Sequence, residues 1–487
     1  MFKKVLMTGI IALWLLAGPL MGNALAQTPD AATPPPPDTG DTAFMLIASA
    51  LVLLMTPGLA FFYGGFVRSR NILNTLMMSF LLMALVGVSW VLWGYSLSFA
   101  PGMPFIGGFE WSFLNNVGVD TTGYLPKMAY EAGVPDDKVV ASYAATIPHQ
   151  AFMVYQGMFA IITPALISGA IVERMSFRAY FWFVVLWSTF IYCPLAHMVW
   201  AKGGLMGLYG GFGALDFAGG TVVHISSGFS ALVAALVVGP RRTYPDQPSA
   251  PHNVPFILLG AGLLWFGWFG FNPGSALAAG SLATVAFVNT NTAAAGAALA
   301  WIILEWNLRG KATAVGIATG AVAGLVGVTP AAGFVTPLGA LFIGAIVAFC
   351  CFFAISIKVK LGIDDALDTY PVHGVGGTIG AILTGVFATK LVNPAGANGL
   401  LFGETGQLFQ GNDPSQVLKQ LGSVVIAYII AGAGTFIILK ILDATVGLRI
   451  EPEAEIQGMD INEHGEEGYG EEFASGLSAI GKPATHG

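Results

Sequence analysis

Residues 215–225 read Leu215-Asp216-Phe217-Ala218-Gly219-Gly220-Thr221-Val222-Val223-His224-Ile225. A second stretch runs from Asp365 to Tyr370-Pro371-Val372-His373-Gly374-Val375-Gly376-Gly377. In each, a histidine follows an aspartate by eight residues, inside an apolar run long enough to cross a bilayer. An ionisable group at that depth is expensive and is usually functional. The spacing recurs five apolar runs later, and five is odd, so the second copy enters the membrane from the opposite side. That is the pattern of an inverted-topology repeat, with the pathway between the halves near mid-membrane.

Working outward, eleven apolar segments are long enough to span, near 42–67, 72–99, 147–172, 179–199, 218–239, 254–272, 280–305, 314–330, 336–357, 370–391 and 421–443. The expected fold class is an all-α polytopic membrane protein of eleven transmembrane helices, a 5+5 inverted repeat plus one extra helix. Composition agrees: of 487 residues, 55% are apolar and only 10% charged, which excludes a disordered chain. Twenty Lys and Arg against 27 Asp and Glu argue against a nucleic-acid partner, and three cysteines make no disulfide framework.

The net charge of −7 is not spread evenly. Arg449 to Gly487 holds nine acids and two bases, which account for all of it, while residues 1–448 hold 18 of each sign. At the other end, Lys3 and Lys4 precede an apolar run and Ala24-Leu25-Ala26, so residues 1–26 read as a signal peptide cleaved after Ala26. Residues 27–41, with Pro34 to Pro37 in a row, form a Pro-rich linker. The membrane domain is expected over 42–443 and an acidic tail over 444–487. A cleaved signal and an odd number of spans put the N-terminus outside a bacterial inner membrane and the tail in the cytoplasm. Basic residues agree with this direction: ten (Arg68, Arg70, Arg174, Arg178, Arg241, Arg242, Arg309, Lys311, Lys358 and Lys360) fall in loops expected inside, against five outside.

His224 and His373 are expected to face each other across the pathway. Two satisfied core histidines are the structural alternative. A metal site is poorly supported, because no third ligand converges on the pair. At the outer flank, Trp200, Ser275, Phe159 and Phe271 combine aromatic faces with a hydroxyl, which suits a small cation through an attraction of about 0.5–2 kcal/mol.

At these residues the sequence resembles the ammonium transporter (Amt) family of bacterial type. The resemblance runs from Phe61-Phe62-Tyr63-Gly64-Gly65 through Ala196-His197-Met198-Val199-Trp200, the Asp216 and His373 stretches and Gly267 to Asn272. It ends in the tail at Gly458-Met459-Asp460-Ile461-Asn462-Glu463-His464-Gly465. It implies a homotrimer without cofactor, one pore per subunit, moving ammonium or ammonia and methylammonium into the cell. Trp200, Phe159 and Ser275 would form the outer ammonium site, with Asp216 supporting it without touching the ion. Phe159 and Phe271 would form a gate beneath, and His224 and His373 would line the pore. The resemblance also implies a PII-type regulatory protein on the cytoplasmic face.

A dry pore with neutral imidazoles excludes a bare cation, so ammonium would shed its proton and pass as ammonia. An ammonium sensor signalling through its tail is the alternative from another class. An enzyme is not expected, since no nucleophile–base set is visible. Two departures from the family pattern stand out: a long outer loop over 101–146, and Pro273 where alanine is common.

Overall fold

The computed structural model describes residues 36–469 apart from 120–142, 145, 209, 247–249 and 404. The expected signal peptide, most of the linker, the middle of the outer loop and the tail beyond 469 lie outside the described residues.

Among the described residues, nine helices are long and apolar enough to cross a membrane. They are α1 (Thr39–Phe66), α2 (Ser69–Phe99), α3 (His149–Ile171), α4 (Phe177–Trp200), α5 (Gly220–Val238), α6 (Val254–Gly274), α7 (Ser281–Arg309), α9 (Pro337–Lys360) and α11 (Ser415–Thr445). The other two expected spans are helical but shorter: α8 (Ala314–Val328) and α10 (Gly376–Phe387), which a π turn at Tyr370–Val375 precedes. A two-stranded hairpin, Gly102–Met103 with Ile106–Gly107, follows α2.

Two boundaries differ from the sequence expectation. The helix α1 begins at Thr39 because the Asp38 carboxylate accepts from the Asp41 N–H at 2.8 Å, so the linker stops short of 41. The helix α11 begins at Ser415 rather than 421, because its first turns carry Gln416 and Gln420, which lower hydropathy yet are buried. Gln420 receives the Leu215 N–H at 2.6 Å and donates to the carbonyls of Leu215 and Ala381. The amide thus ties α11 to the loop that carries Asp216.

Small residues set the packing. A Cβ at Gly260 on α6 would strike the Phe62 backbone of α1, and one at Gly324 or Gly344 would strike the Ala293 carbonyl of α7. Without a hydrophobic drive between helices in lipid, such close backbone approach is the main packing device.

The halves are tied in mirrored fashion. The α5 helix starts with a π turn at Gly220–Ile225, and a π turn at Tyr370–Val375 likewise leads into α10. Past Asp216, the Phe217 N–H donates to the Pro330 carbonyl just beyond α8. Past Asp365, the Leu367 N–H donates to Gly169 in the last turn of α3. Each aspartate loop is therefore anchored on the third helix of the opposite half.

Beyond α11 the chain folds back over one end of the bundle. Ser176 and Ile450 exchange backbone bonds with Leu448 and Arg174. A short helix α12 (Pro452–Gln457) places Glu455 against Arg449 at 2.7 Å and on the Arg242 N–H at 3.0 Å. Asp460 then accepts from the N–H groups of Leu73 and Asn74 at 3.0 and 2.8 Å, capping the α segment of α2. His464 bonds to Asn74 and packs edge-on against Phe177.

Candidate functional site

The spacing of aspartate and histidine has a local cause. Gly219 has φ +119°, a conformation open to glycine, and turns the chain so that successive N–H groups point at Asp216. The Asp216 carboxylate accepts from Gly219, Gly220, Thr221 and Val222, at 2.7, 2.6, 2.7 and 3.3 Å. These are the orphan donors at the start of α5. In the second half Asp365 accepts from Thr369 and Tyr370, at 3.1 and 2.8 Å. Each aspartate holds a helix start in place, and the π turn that follows carries the histidine inward.

The two histidines meet. Their Nδ1 atoms are 3.2 Å apart and their rings lie nearly parallel, 26° between planes. Close approach depends on glycine, since a Cβ at Gly228 would overlap the Gly374 backbone and one at Gly377 would crowd His224. With both rings neutral, one Nδ1 must donate to the other. The two Nε2 atoms then differ, one N–H and one lone pair. The His224 Nε2 is buried without a hydrogen-bond partner.

A narrow cavity of about 10 Å³ passes the pair, roughly the space of one water-sized molecule. Apart from the imidazoles its lining is apolar, with Met55, Leu59 and Phe62 of α1, Ile162 and Leu166 of α3, Leu264, Trp268 and Phe271 of α6 and Val322 of α8. The first, third and fifth helices of each half all contribute.

At the end away from the tail, Phe159 and Phe271 pack with ring centroids 4.2 Å apart, and both are buried. The half-buried Trp200 ring stands edge-on to Phe159 at 5.9 Å, and its Nε1 donates to the Asp216 carbonyl at 3.1 Å. So Asp216 holds the helix start with its carboxylate and the indole with its backbone. Ser275 lies just past α6, its Oγ donating to the Phe271 carbonyl at 3.0 Å.

Two residues in this cluster received no role from sequence. Tyr155 bonds to the Gly270 and Phe271 carbonyls at 3.0 and 2.7 Å and lies 3.2 Å from Ser275 Oγ. Trp268 stacks on His224 at 5.5 Å and is fixed by its Nε1 bond to Thr329. Their signal was helical spacing: Tyr155 precedes Phe159 by four, and Trp268 precedes Phe271 by three, which sets each pair on one face. Pro273 sits in the last turn of α6 beside these residues. Among the described residues, no group of three or more His, Cys, Asp or Glu is placed to hold a metal.

The tail-covered end is ionic instead. The Arg241 guanidinium bridges Glu173 at 2.8 Å and Asp364 at 2.8 Å, and Glu173 also accepts from Arg68 N–H and Asn71. Burial opposes charge on both carboxyls, yet Arg241 and these donors hold Glu173 and Asp364 below the usual carboxylate range. Arg174, fully buried, donates to the carbonyls of Gly239, Ala170 and Asp364.

Known proteins are similar to this chain over most of its length. The Ammonium Transporter Family profile matches residues 43–469. An ammonium transporter of Bacillus subtilis is 48% identical over 88% of this chain and 98% of its own length. The crystal structure of Saccharomyces cerevisiae Mep2 superposes with a TM-score of 0.73 at 36% identity, covering 86% of this chain and 88% of that one. A structure described as a sensor Amt protein gives a TM-score of 0.73 at 29% identity, over 87% and 98%.

Proposed function

This chain belongs to the ammonium transporter family, and from that premise we propose that it moves ammonium nitrogen into the cell. In this reading α1 to α11 all cross the bacterial inner membrane as a 5+5 repeat plus one helix. The signal-cleaved N-terminus lies outside and the tail in the cytoplasm. Ammonium, or methylammonium, is captured outside by the Trp200 face, Phe159 and the Ser275 hydroxyl. Asp216 fixes the indole without touching the ion.

Ser275 and Tyr155 both direct their hydroxyl protons at α6 carbonyls, which leaves oxygen lone pairs for a donor-only cation. The Phe159–Phe271 gate then opens, ammonium passes its proton to water at the outer mouth, and ammonia enters the lumen. There it meets one imidazole N–H and one lone pair, the complement of a molecule that both donates and accepts. Potassium has no proton to lose, and stripping its water in an apolar lumen costs far more than the ~0.5–2 kcal/mol that a ring face returns. The assembly is proposed as a homotrimer with a pore in each subunit. A PII-type protein is the proposed regulator on the tail-covered face.

The observation that carries this reading is the imidazole pair, 3.2 Å apart in an otherwise apolar lumen beneath two closely packed phenylalanines. The test is the purified protein in liposomes. Ammonium and methylammonium should give a current or a lumenal pH change above empty liposomes, and potassium should give none. No signal with ammonium overturns transport.

A second reading, an ammonium sensor, draws on one structural neighbour, a sensor Amt protein, and on the folded tail. It predicts ammonium binding and a tail rearrangement without flux, so the same liposomes separate the two.

A further inference from the structure

The mirrored halves differ where each aspartate carbonyl finds its side-chain donor. Near the outer gate Trp200, the last residue of α4, donates from Nε1 to the Asp216 carbonyl at 3.1 Å. In the other half Lys358, in the last turn of α9, donates from Nζ to the Asp365 carbonyl at 2.6 Å. The helices α4 and α9 are equivalent in the repeat, and so are Asp216 and Asp365. Where the first half offers an aromatic face to a cation, the second brings a cation of its own.

The Lys358 ammonium is 8% exposed and also meets the Asp368 carboxylate at 2.5 Å. This point connects to the lumen through a short run of contacts. The Asp365 carboxylate holds the Thr369 N–H, and Thr369 Oγ1 lies 3.4 Å from Tyr63 Oη. The Tyr63 hydroxyl donates to the Leu166 carbonyl at 3.0 Å, and Leu166 lines the cavity beside His373.

We infer that Lys358 is a tethered ammonium that fills the tail-side counterpart of the outer recruitment point and lowers the affinity of that face for free ammonium. The inference rests on the transport reading above. Its chemistry is direct: the side chain ends in a primary ammonium, the same class as methylammonium, and its donors already engage the carbonyl and carboxylate that would hold a mobile ion. Removing it leaves Asp365 and Asp368 as acceptors with no resident cation. Such a device changes how the tail-side face saturates and leaves the equilibrium distribution of ammonium untouched.

The test uses right-side-out membrane vesicles with the full chain, loaded inside with graded ammonium while labelled methylammonium enters from outside. In the wild type, internal ammonium should inhibit entry weakly. In Lys358→Met the internal concentration for half-inhibition should fall by roughly five- to tenfold, the low end of ordinary site coupling. Lys358→Arg, which keeps a cation, should behave as the wild type. Lys358→Gln keeps a donor for the Asp365 carbonyl, and so supplies a charge-free variant if the methionine form does not assemble. Half-saturation from outside should stay unchanged in all three. If Lys358→Met or Lys358→Gln carries methylammonium inward with unaltered internal inhibition, the inference is overturned. If the wild type carries none, the transport reading fails instead.

Discussion

The entries to α5 and α10 perform one task with unequal means. Asp216 gathers four backbone N–H groups and Asp365 gathers two. The cause is sequence: Gly219-Gly220-Thr221-Val222 offers four donors in a row, whereas Thr369-Tyr370-Pro371 ends with a residue that has none. Proline at the first turn presets the helical φ, so the second entry needs less help from its carboxylate. The largest expected effect follows. Asp216→Ala should destabilise by about 3–5 kcal/mol, and Asp365→Ala by about half that, because unsatisfied buried donors each cost roughly 1–3 kcal/mol and do not add fully. Thermal unfolding in detergent measures both, and equal losses would break the comparison.

This contrast also shows what the sequence could disclose. The eight-residue spacing was legible, and so was the likelihood that two histidines in apolar spans share a pathway, since hydrocarbon makes such groups costly. That the carboxylate is consumed by backbone donors was not legible, because a spacing does not show which way a side chain turns. Tyr155 and Trp268 were overlooked for a related reason: an aromatic near a span end reads first as a headgroup anchor, and only packing distinguishes one that faces the lumen. The start of α11 was missed because Gln416 and Gln420 depress hydropathy while burying their amides. In the tail, the excess acid was plain from counting. That Glu455 and Asp460 turn inward onto Arg242 and the first turns of α2 depended on contacts distant in the chain.

Within the lumen the two imidazoles are also unequal neighbours. His224 stacks on Trp268 at 5.5 Å and lies 6.1 Å from Phe271, directly beneath the gate. His373 shares the cavity with Leu166 and Phe62. Replacing either by leucine removes the alternation of donor and acceptor that the pair presents. The loss of one partner should slow ammonium flux by about 5- to 150-fold, the equivalent of 1–3 kcal/mol. The His224 variant should also lose discrimination against potassium more sharply, since that ring is the first polar group below the phenylalanines. Equal selectivity in both variants would remove the distinction.

A smaller effect belongs to the outer mouth. Trp200→Leu keeps an apolar side chain but deletes the ring face and the Nε1 bond to Asp216. Half-saturation should rise by about 2- to 30-fold, matching a cation–π term of 0.5–2 kcal/mol, with the maximal rate little changed. A lowered maximal rate at unchanged half-saturation would assign the indole to the gate instead of to capture.

The smallest effect concerns the end covered by the tail, and there the sign is set by carboxylates. Glu173 and Asp364 are both held below their usual range by Arg241 and neighbouring donors, despite burial. A carboxyl depressed in the folded state contributes stability that is complete above its unfolded value, near 4, and is lost as pH falls through the lower folded value. Arg241 stays charged throughout this range, so it adds no transition of its own. The Glu173–Arg241–Asp364 cluster should therefore be indifferent to pH between about 7 and 5 and should weaken only below about 4. Hydrogen-exchange protection of the Arg68 and Arg241 amides, which donate to Glu173 and Asp364, reports this cluster directly. Those amides should keep their protection to pH 5 and lose it before the Thr221 amide, which Asp216 holds inside the bundle. Simultaneous loss at both places would mean that the ionic cluster and the start of α5 melt as one unit, and that the ionic end has no separate stability to regulate.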